Sequence, residues 1–278
     1  MDKLIEYLQF DFVRYAIISG VFISLCSALI GSVIVTKKMS FIGDGLSHIS
    51  FGATIIAMVS GISNNLLITL PITFIMSLFL FKNKEDSKLP NDAILAMFSV
   101  FGLAFGYMFI NLFGKTANVS GDVCGFLFGS TSILTLNLTK VVTCVIISVI
   151  CIGAFILFYN KIYATTFDEA FSKASGTKIR KYNILTVLLI DTIIVLSTQL
   201  VGALLVSALI VLPTLSAIRV SIGFKGVIVI GSIISVIGAL IGIGISIVLG
   251  TPVGCTIVMA DMSAFIICSL LSYVINRK

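Results

Sequence analysis

The sequence predicts an all-α polytopic membrane protein of about nine membrane segments, some short or re-entrant, with the N-terminus outside and the C-terminus cytoplasmic. Three observations predict this. Of the 278 residues, 58% are hydrophobic and 11% charged, and the mean hydropathy is +1.19; a soluble domain carries about 25% charged residues. The apolar residues fall into runs near the ~20 that cross a hydrocarbon core. The basic residues gather in alternate links between those runs, as the positive-inside rule requires. Such a chain cannot cover itself with polar surface, so lipid is its solvent.

The first five spans are expected at residues 15–35, 41–60, 66–81, 93–113 and 138–158. The first run is long enough to span and lacks a small-residue cleavage site, so it reads as a span and not as a removed signal. The stretch 184–218 is 35 residues long. As one helix it would measure roughly 52 Å, against a core of about 30 Å, so a break is expected within Ser197-Thr-Gln-Leu-Val-Gly202. The stretch 226–275 is expected to break at Gly250-Thr-Pro-Val-Gly254, where Gly and Pro punctuate it. Between the fourth and fifth spans, residues 114–137 hold a polar half and then Val-Cys-Gly-Phe-Leu-Phe-Gly (123–129), read as a short re-entrant or surface-lying piece.

Charge sets the threading. The links after the odd-numbered spans hold Lys37, Lys38, Lys82, Lys84, Lys88, Lys161, Lys173, Lys178, Arg180, Lys181, Arg219, Lys225, Arg277 and Lys278, leaving only Lys3, Arg14, Lys115 and Lys140 for the other side. The net charge of +6 is therefore topological, and a nucleic-acid partner is excluded. The six cysteines form no C-x-x-C pair and sit mostly in apolar runs, so they read as small hydrophobes. There is no Trp, and interfacial anchoring falls to Tyr, Lys and Arg.

The link 160–182 is the longest on the cytoplasmic side. Thr166-Phe-Asp-Glu169 matches a capping box, and Phe167, Ala170, Phe171 and Ala174 follow i, i+3, i+4, i+7. Gly176 stands where a helix should end. A short amphipathic helix is expected, either resting on lipid or docking into a cytoplasmic partner. Its polar face carries Asp168, Glu169 and Lys173 and lacks the strongly basic character of a lipid-surface helix, which favours the partner. Gly238, Gly242, Ser246 and Gly250 recur every four residues, a small-xxx-small ladder that lets helices approach closely, within the chain or between subunits.

Chemistry concentrates in Phe-Ile-Gly-Asp-Gly-Leu-Ser-His-Ile-Ser (41–50), which holds Asp44 and the single histidine, His48. At i and i+4 they share one helix face. For a helix starting near Lys38, Asp44 lies about 9 Å and His48 about 15 Å along the axis. A carboxylate at such depth costs at least about 2.5–3.5 kcal/mol, so it faces a cavity or a partner. A structural His–Asp pair is one reading. A polar relay or metal station is the stronger one, because a carboxylate and an imidazole suit a borderline divalent ion such as Zn, Mn or Fe. Two ligands are too few for a tight structural site but suit transit, where the ion must leave again. A twofold dimer with this face at its axis would bring together two Asp and two His. Asp191 and Asp261, isolated in apolar runs, are further candidates, each able to line the same path or to pair with Ser, Thr or Asn of a neighbouring helix. Asp122 and Cys124 are candidates at an outer entrance.

Other motifs fail on context. Gly114-Lys115-Thr116 resembles the end of a phosphate-binding loop, but Phe109 stands where its first glycine belongs. Phe41 likewise replaces the first glycine of the G-x-G-D motif of intramembrane aspartyl proteases. Nothing supports a hydrolase.

Five ordered blocks carry a family resemblance. Gly43–Ala53, GDGLSHISFGA, resembles the G-D-x-[LIV]-S-H-x-x-[LF]-x-G block of the integral-membrane permeases of zinc/manganese/iron ABC importers. PNDAILAMFSVFGLAFG (90–106), GDVCGFLFGS (121–130), VGALLVSALIVLPTLSA (201–217) and TPVGCTIVM (251–259) are similar to further blocks of the family. Asn91 stands where an acid is common, and Cys124-Gly125 where Ser-Tyr is common. The resemblance implies a homodimer of permeases in the bilayer of the bacterial plasma (inner) membrane. It implies cytoplasmic ATP-binding subunits below and an extracellular or periplasmic metal-binding protein above. It also implies that Asp44 and His48 line the metal path, and that Phe167-Asp-Glu-Ala-Phe-Ser-Lys-Ala-Ser-Gly176 is the coupling helix toward the ATPase.

The expectation is thus one transmembrane permease domain, residues 1–278, with a coupling helix at about 165–176. It is a transport subunit and not an enzyme. It holds no permanently bound cofactor and has a transported divalent ion (Zn, Mn or Fe) as substrate. The alternative is a stand-alone proton-coupled metal transporter or channel.

Overall fold

The computed structural model describes residues 9–60, 65–86, 91–113, 123–129 and 137–275. Among these the chain is helical, with no strand. Its helices are α1 (Asp11–Thr36), α2 (Ile42–Val59), α3 (Leu66–Asp86), α4 (Asn91–Phe113), α5 (Val123–Phe128), α6 (Leu138–Phe167), α7 (Glu169–Ala174), α8 (Ile179–Val201), α9 (Val206–Val220), α10 (Phe224–Leu249) and α11 (Val253–Ile275). Seven of them, α1, α2, α4, α6, α8, α10 and α11, are long and apolar enough to cross a membrane. Leu66–Leu80 and Val206–Val220 are shorter apolar helical stretches.

Helices α1, α2 and α8 are the most enclosed, with Ile30, Ile34, Leu46 and Ile194 at their buried contacts. The outer helices turn apolar side chains outward: Val100 on α4, Leu157 on α6, Val229 on α10, Met259 and Leu270 on α11. This is the pattern of a chain solvated by lipid, in which burial of apolar surface no longer drives helix pairing and small residues and hydroxyls do. Hydroxyls bridge successive pairs: Ser27–Ser197 (α1–α8, 3.1 Å), Ser235 to the Ser24 carbonyl (α10–α1, 2.9 Å), Ser50–Thr198 (α2–α8, 3.2 Å) and Thr54–Thr69 (α2–α3, 3.4 Å).

The tightest approaches are made by glycine. Gly52 and Gly102 bring α2 and α4 together, a Cβ on Gly52 falling 2.9 Å from the Gly102 carbonyl oxygen. On α10, Gly238 and Gly242 face Asp261 and the Ile257 backbone of α11, so that part of the ladder is an internal contact. Its last member behaves differently. Gly250 is the left-handed C-cap of α10 (φ +66°) with nothing within 4 Å of an added Cβ.

Both long apolar stretches break inside the expected windows. Gly202 (φ +88°) ends α8, and Gly250 ends α10. The unwound backbone after Gly202 is not left bare. Ala203 N–H donates to the Phe126 carbonyl (3.3 Å) and Leu204 N–H to that of Leu127 (3.2 Å), at the C-terminal end of α5. The residues around the first break thus supply the orphan carbonyls of a six-residue helix while satisfying their own amides, as irregular backbone in lipid must. Of the segment 114–137, residues 114–122 and 130–136 lie outside the described residues.

The link between the spans at 138–158 and 184–218 differs from expectation. Helix α6 does not stop near Phe158 but runs 30 residues to Phe167, because nothing in Asn160-Lys-Ile-Tyr-Ala-Thr-Thr breaks a helix. The Thr166 capping box does not form. Thr166 is still inside α6, where its hydroxyl donates to the Ile162 carbonyl (2.6 Å). The chain turns at Asp168 (φ −146°, ψ 97°), and the Asp168 carboxylate accepts the Phe171 N–H (2.8 Å) as the N-cap of α7. An acid serves a cap as well as a threonine does, and here it is the residue with extended backbone. The far end closes as expected: Gly176 (φ +75°) takes the left-handed position, with Gly176 N–H to Lys173 O and Thr177 N–H to Ser172 O, the Schellman pattern. Phe167 therefore ends α6 and does not share a helix with Ala170, Phe171 and Ala174.

Candidate metal-transit site

Helix α2 begins at Ile42, after a turn in which Lys38 adopts φ +55° and Ile42 N–H bonds to Met39 O (2.9 Å). The start is four residues later than the depth estimate assumed. Asp44 consequently lies in the first turn, about 3 Å along the axis, and His48 about 9 Å, both nearer the α1–α2 turn than expected. The early position suits the carboxylate, since a helix N-terminus favours negative charge.

His48 Nε2 lies 3.4 Å from Asp44 Oδ1, so the i, i+4 register does bring the two together. The imidazole side chain is 7% exposed and the carboxylate 44%. On the facing helix α4, the Ser99 hydroxyl donates to Asp44 Oδ2 (3.4 Å). Behind the pair, Gly43 lets Ser207 of α9 approach, with a Cβ there 3.4 Å from Ser207 Cα. His48 Nδ1 is buried with no hydrogen-bond partner among the described residues. Buried polar atoms are seldom left so, and an imidazole nitrogen with an unused lone pair or proton is suited to a ligand or a proton.

Chemically, the arrangement offers one anionic oxygen donor open to a neighbour, one imidazole behind it, and a hydroxyl that fixes the carboxylate rotamer. Among the described residues no group of three or more His, Cys, Asp or Glu could hold a metal ion. Among the described residues, one chain therefore presents two ligands, Asp44 and His48.

Asp191 and Asp261 do not join this pair in a metal-holding group among the described residues. Asp191 on α8 is 1% exposed, and its Oδ2 accepts from the Thr73 hydroxyl of α3 (3.1 Å) while Oδ1 has no partner among the described residues. Asp261 is wholly buried against Gly238, both oxygens unpartnered among the described residues. Asp122 lies outside the described residues. Cys124 lies on α5, with its side chain outside what is described.

Sequence reasoning missed two supports of the site, Ser99 and Gly102. The second had a signal, since Gly102 and Gly106 are four apart in an apolar run. A Cβ on Gly102 would fall 2.9 Å from the carbonyl carbon and oxygen of His48 and from Ile49 Cα. Gly102→Ala is expected to lower metal uptake by roughly tenfold or more, the scale of losing a residue that orients a ligand. Gly153→Ala, with open space around it, is the control. Equal uptake by the two variants would detach Gly102 from the site.

Among the described residues, a helical bundle with seven helices long and apolar enough to cross a membrane and apolar side chains turned outward defines a multi-pass membrane protein. The chain belongs to the ABC 3 transport family, which it matches over residues 9–272. It is 28% identical over 264 residues to the manganese transport system membrane protein MntC of Listeria monocytogenes, covering 95% of this chain and 91% of that one. It is 25% identical over 262 residues to the high-affinity zinc uptake system membrane protein ZnuB of Haemophilus influenzae, covering 93% and 97%. Its fold matches a chain of the solved PsaBC from Streptococcus pneumoniae in complex with Fab, with a TM-score of 0.86 at 22% identity, covering 96% and 94%.

Proposed function

We propose that this chain is the permease subunit of an ABC importer that moves a divalent transition metal ion, zinc, manganese or iron, into the cytoplasm. The observation that carries the reading is the Asp44–His48 pair at the α2–α4 crossing, in a chain of a family whose relatives are named for manganese and zinc transport. Residues 1–278 act as one domain crossing the bilayer about nine times. The seven long helices and two shorter ones, and the even spacing of the basic links, support the odd count and the cytoplasmic C-terminus.

The two-ligand set among the described residues supports a homodimer in which two such pairs meet, giving two carboxylates and two imidazoles for the ion. Ion binding at such a site is weak enough to release. ATP-driven closure of separate ATPase subunits acts through residues 165–176, and the helices around Asp44 and His48 re-orient so that the site opens to one side and then to the other. A binding protein outside delivers the ion.

A stand-alone proton-coupled transporter remains the competing reading, favoured by the buried acids Asp191 and Asp261. Reconstitution into liposomes separates the two. The importer requires ATPase subunits and ATP for uptake of zinc, manganese or iron. Uptake by the purified chain alone, driven by a pH gradient, would establish the other.

A further inference from the structure

We propose that the ATPase subunit is gripped at a second point beside α7, the turn Ser221-Ile222-Gly223 between α9 and α10, with Ile222 as its anchor. This rests on the importer reading above.

The argument starts with depth. Helix α6 is 30 residues long, about 45 Å at 1.5 Å per residue, which exceeds a core of about 30 Å by roughly ten residues. Because polarity rises after Phe158, at Asn160 and Lys161, the excess is assigned to the last stretch, with Tyr163 and Phe167, beyond the hydrocarbon. Phe224 at the start of α10 packs on that projection: its ring lies 5.3 Å from Tyr163 and 5.5 Å, edge-on, from Phe167. The 221–223 turn is therefore held beside the end of α6, one residue before the N-cap of α7.

There Ile222 is fully exposed, at 101%. A single exposed isoleucine is ordinary, but this one is not alone. Phe167 (56%) at the end of α6 and Phe171 (68%) on α7 are exposed as well, while α7 buries Ser172 instead. The short helix thus turns its apolar side outward and its small polar residue in. Three large apolar side chains, at the end of α6, on α7 and on the turn, flanked in sequence by exposed Asp168, Lys173, Arg219 and Lys225, have the make-up of an interface core with a charged rim. Lys173, Arg219 and Lys225 outnumber the exposed acid Asp168, which favours a partner surface that is more acidic than basic. Because Phe224 holds the turn against Phe167, the residue preceding the α7 N-cap Asp168, the subunit seated on α7 is the occupant within reach of the turn. Movement of α7 is then passed through Phe167 and Phe224 directly into α10.

The test uses the whole complex of permease and ATPase subunits. A photo-reactive benzoylphenylalanine in place of Ile222 is expected to cross-link to the ATPase, as is one in place of Phe171. Ile222→Glu is expected to weaken ATPase association at least tenfold, and Ile222→Leu to keep it. Cross-linking from position 171 alone, or association unchanged in Ile222→Glu and lost in Phe171→Glu, would overturn the second contact while leaving the importer reading in place. Cross-links to lipid only from both positions would remove both.

Discussion

Asp44→Ala and His48→Ala are each expected to cut metal uptake by 100-fold or more while leaving the folded protein in the membrane. The asymmetry of the pair explains why fold and function separate. Asp44 is 44% exposed and among the described residues its carboxylate bonds to His48 and Ser99, so its removal costs the fold the Nε2 partner of one buried imidazole, about 1–3 kcal/mol. In the proposed transit role its worth is much larger, since it would supply the anionic donor without which a dication meets only neutral groups in a low-dielectric path. Asp44→Asn separates charge from shape, because the amide keeps a hydrogen bond to Ser99 and loses the charge, and uptake should fall as far as in Asp44→Ala. The measurement is initial uptake of radioactive zinc or manganese by cells lacking other importers, normalised to permease in the membrane. Uptake within twofold of wild type in both alanine variants would remove the site. In a covalently linked dimer, Asp44→Ala in one protomer alone should already be damaging, and unchanged transport would count against the shared site.

Much of this was legible in the sequence, for physical reasons that differ from place to place. The breaks near Gly202 and Gly250 could be read because a 35-residue apolar run cannot be one span and because glycine is the residue that tolerates the backbone angles found there. The Asp44–His48 pairing could be read because helical register alone puts i and i+4 together. What it could not give was set by neighbours. Ser99 faces Asp44 only because α4 crosses α2 at Gly52 and Gly102, a contact between residues far apart in the chain. The end of α6 was misjudged because polarity rises after Phe158 while helix propensity does not fall, and composition signals the edge of the membrane, not the end of a helix. The Asp168 cap was missed because Thr166 and Asp168 are both good caps, and only the backbone angles decide between them.

Gly202→Ala is expected to be the most damaging single-atom-scale change in the protein, lowering stability by about 3 kcal/mol or more and depleting folded protein from the membrane. Two costs combine there. At φ +88°, ψ 156° the backbone lies in a region that is essentially glycine-only, worth about 1–3 kcal/mol. A Cβ would also collide with the Leu127 carbonyl and come 2.5 Å from Gly129 N. Gly223 isolates the first cost, since it has a similar φ of +84° with nothing within 4 Å, so Gly223→Ala should lose only the strain. Gly254 isolates the second. A Cβ there meets the Val201 carbonyl and, at 2.9 Å, the Phe128 carbonyl, without a positive φ. Thermal unfolding of the three variants in detergent should therefore rank Gly202→Ala as more destabilised than either of the others. A Gly202→Ala protein no worse than Gly223→Ala would mean that the α5 junction yields freely. The expected ranking follows from where the junction lies. Ala203 and Leu204 have no helical partners for their N–H groups and depend on the Phe126 and Leu127 carbonyls. Pushing α5 away strands amides and carbonyls together where lipid offers no replacement.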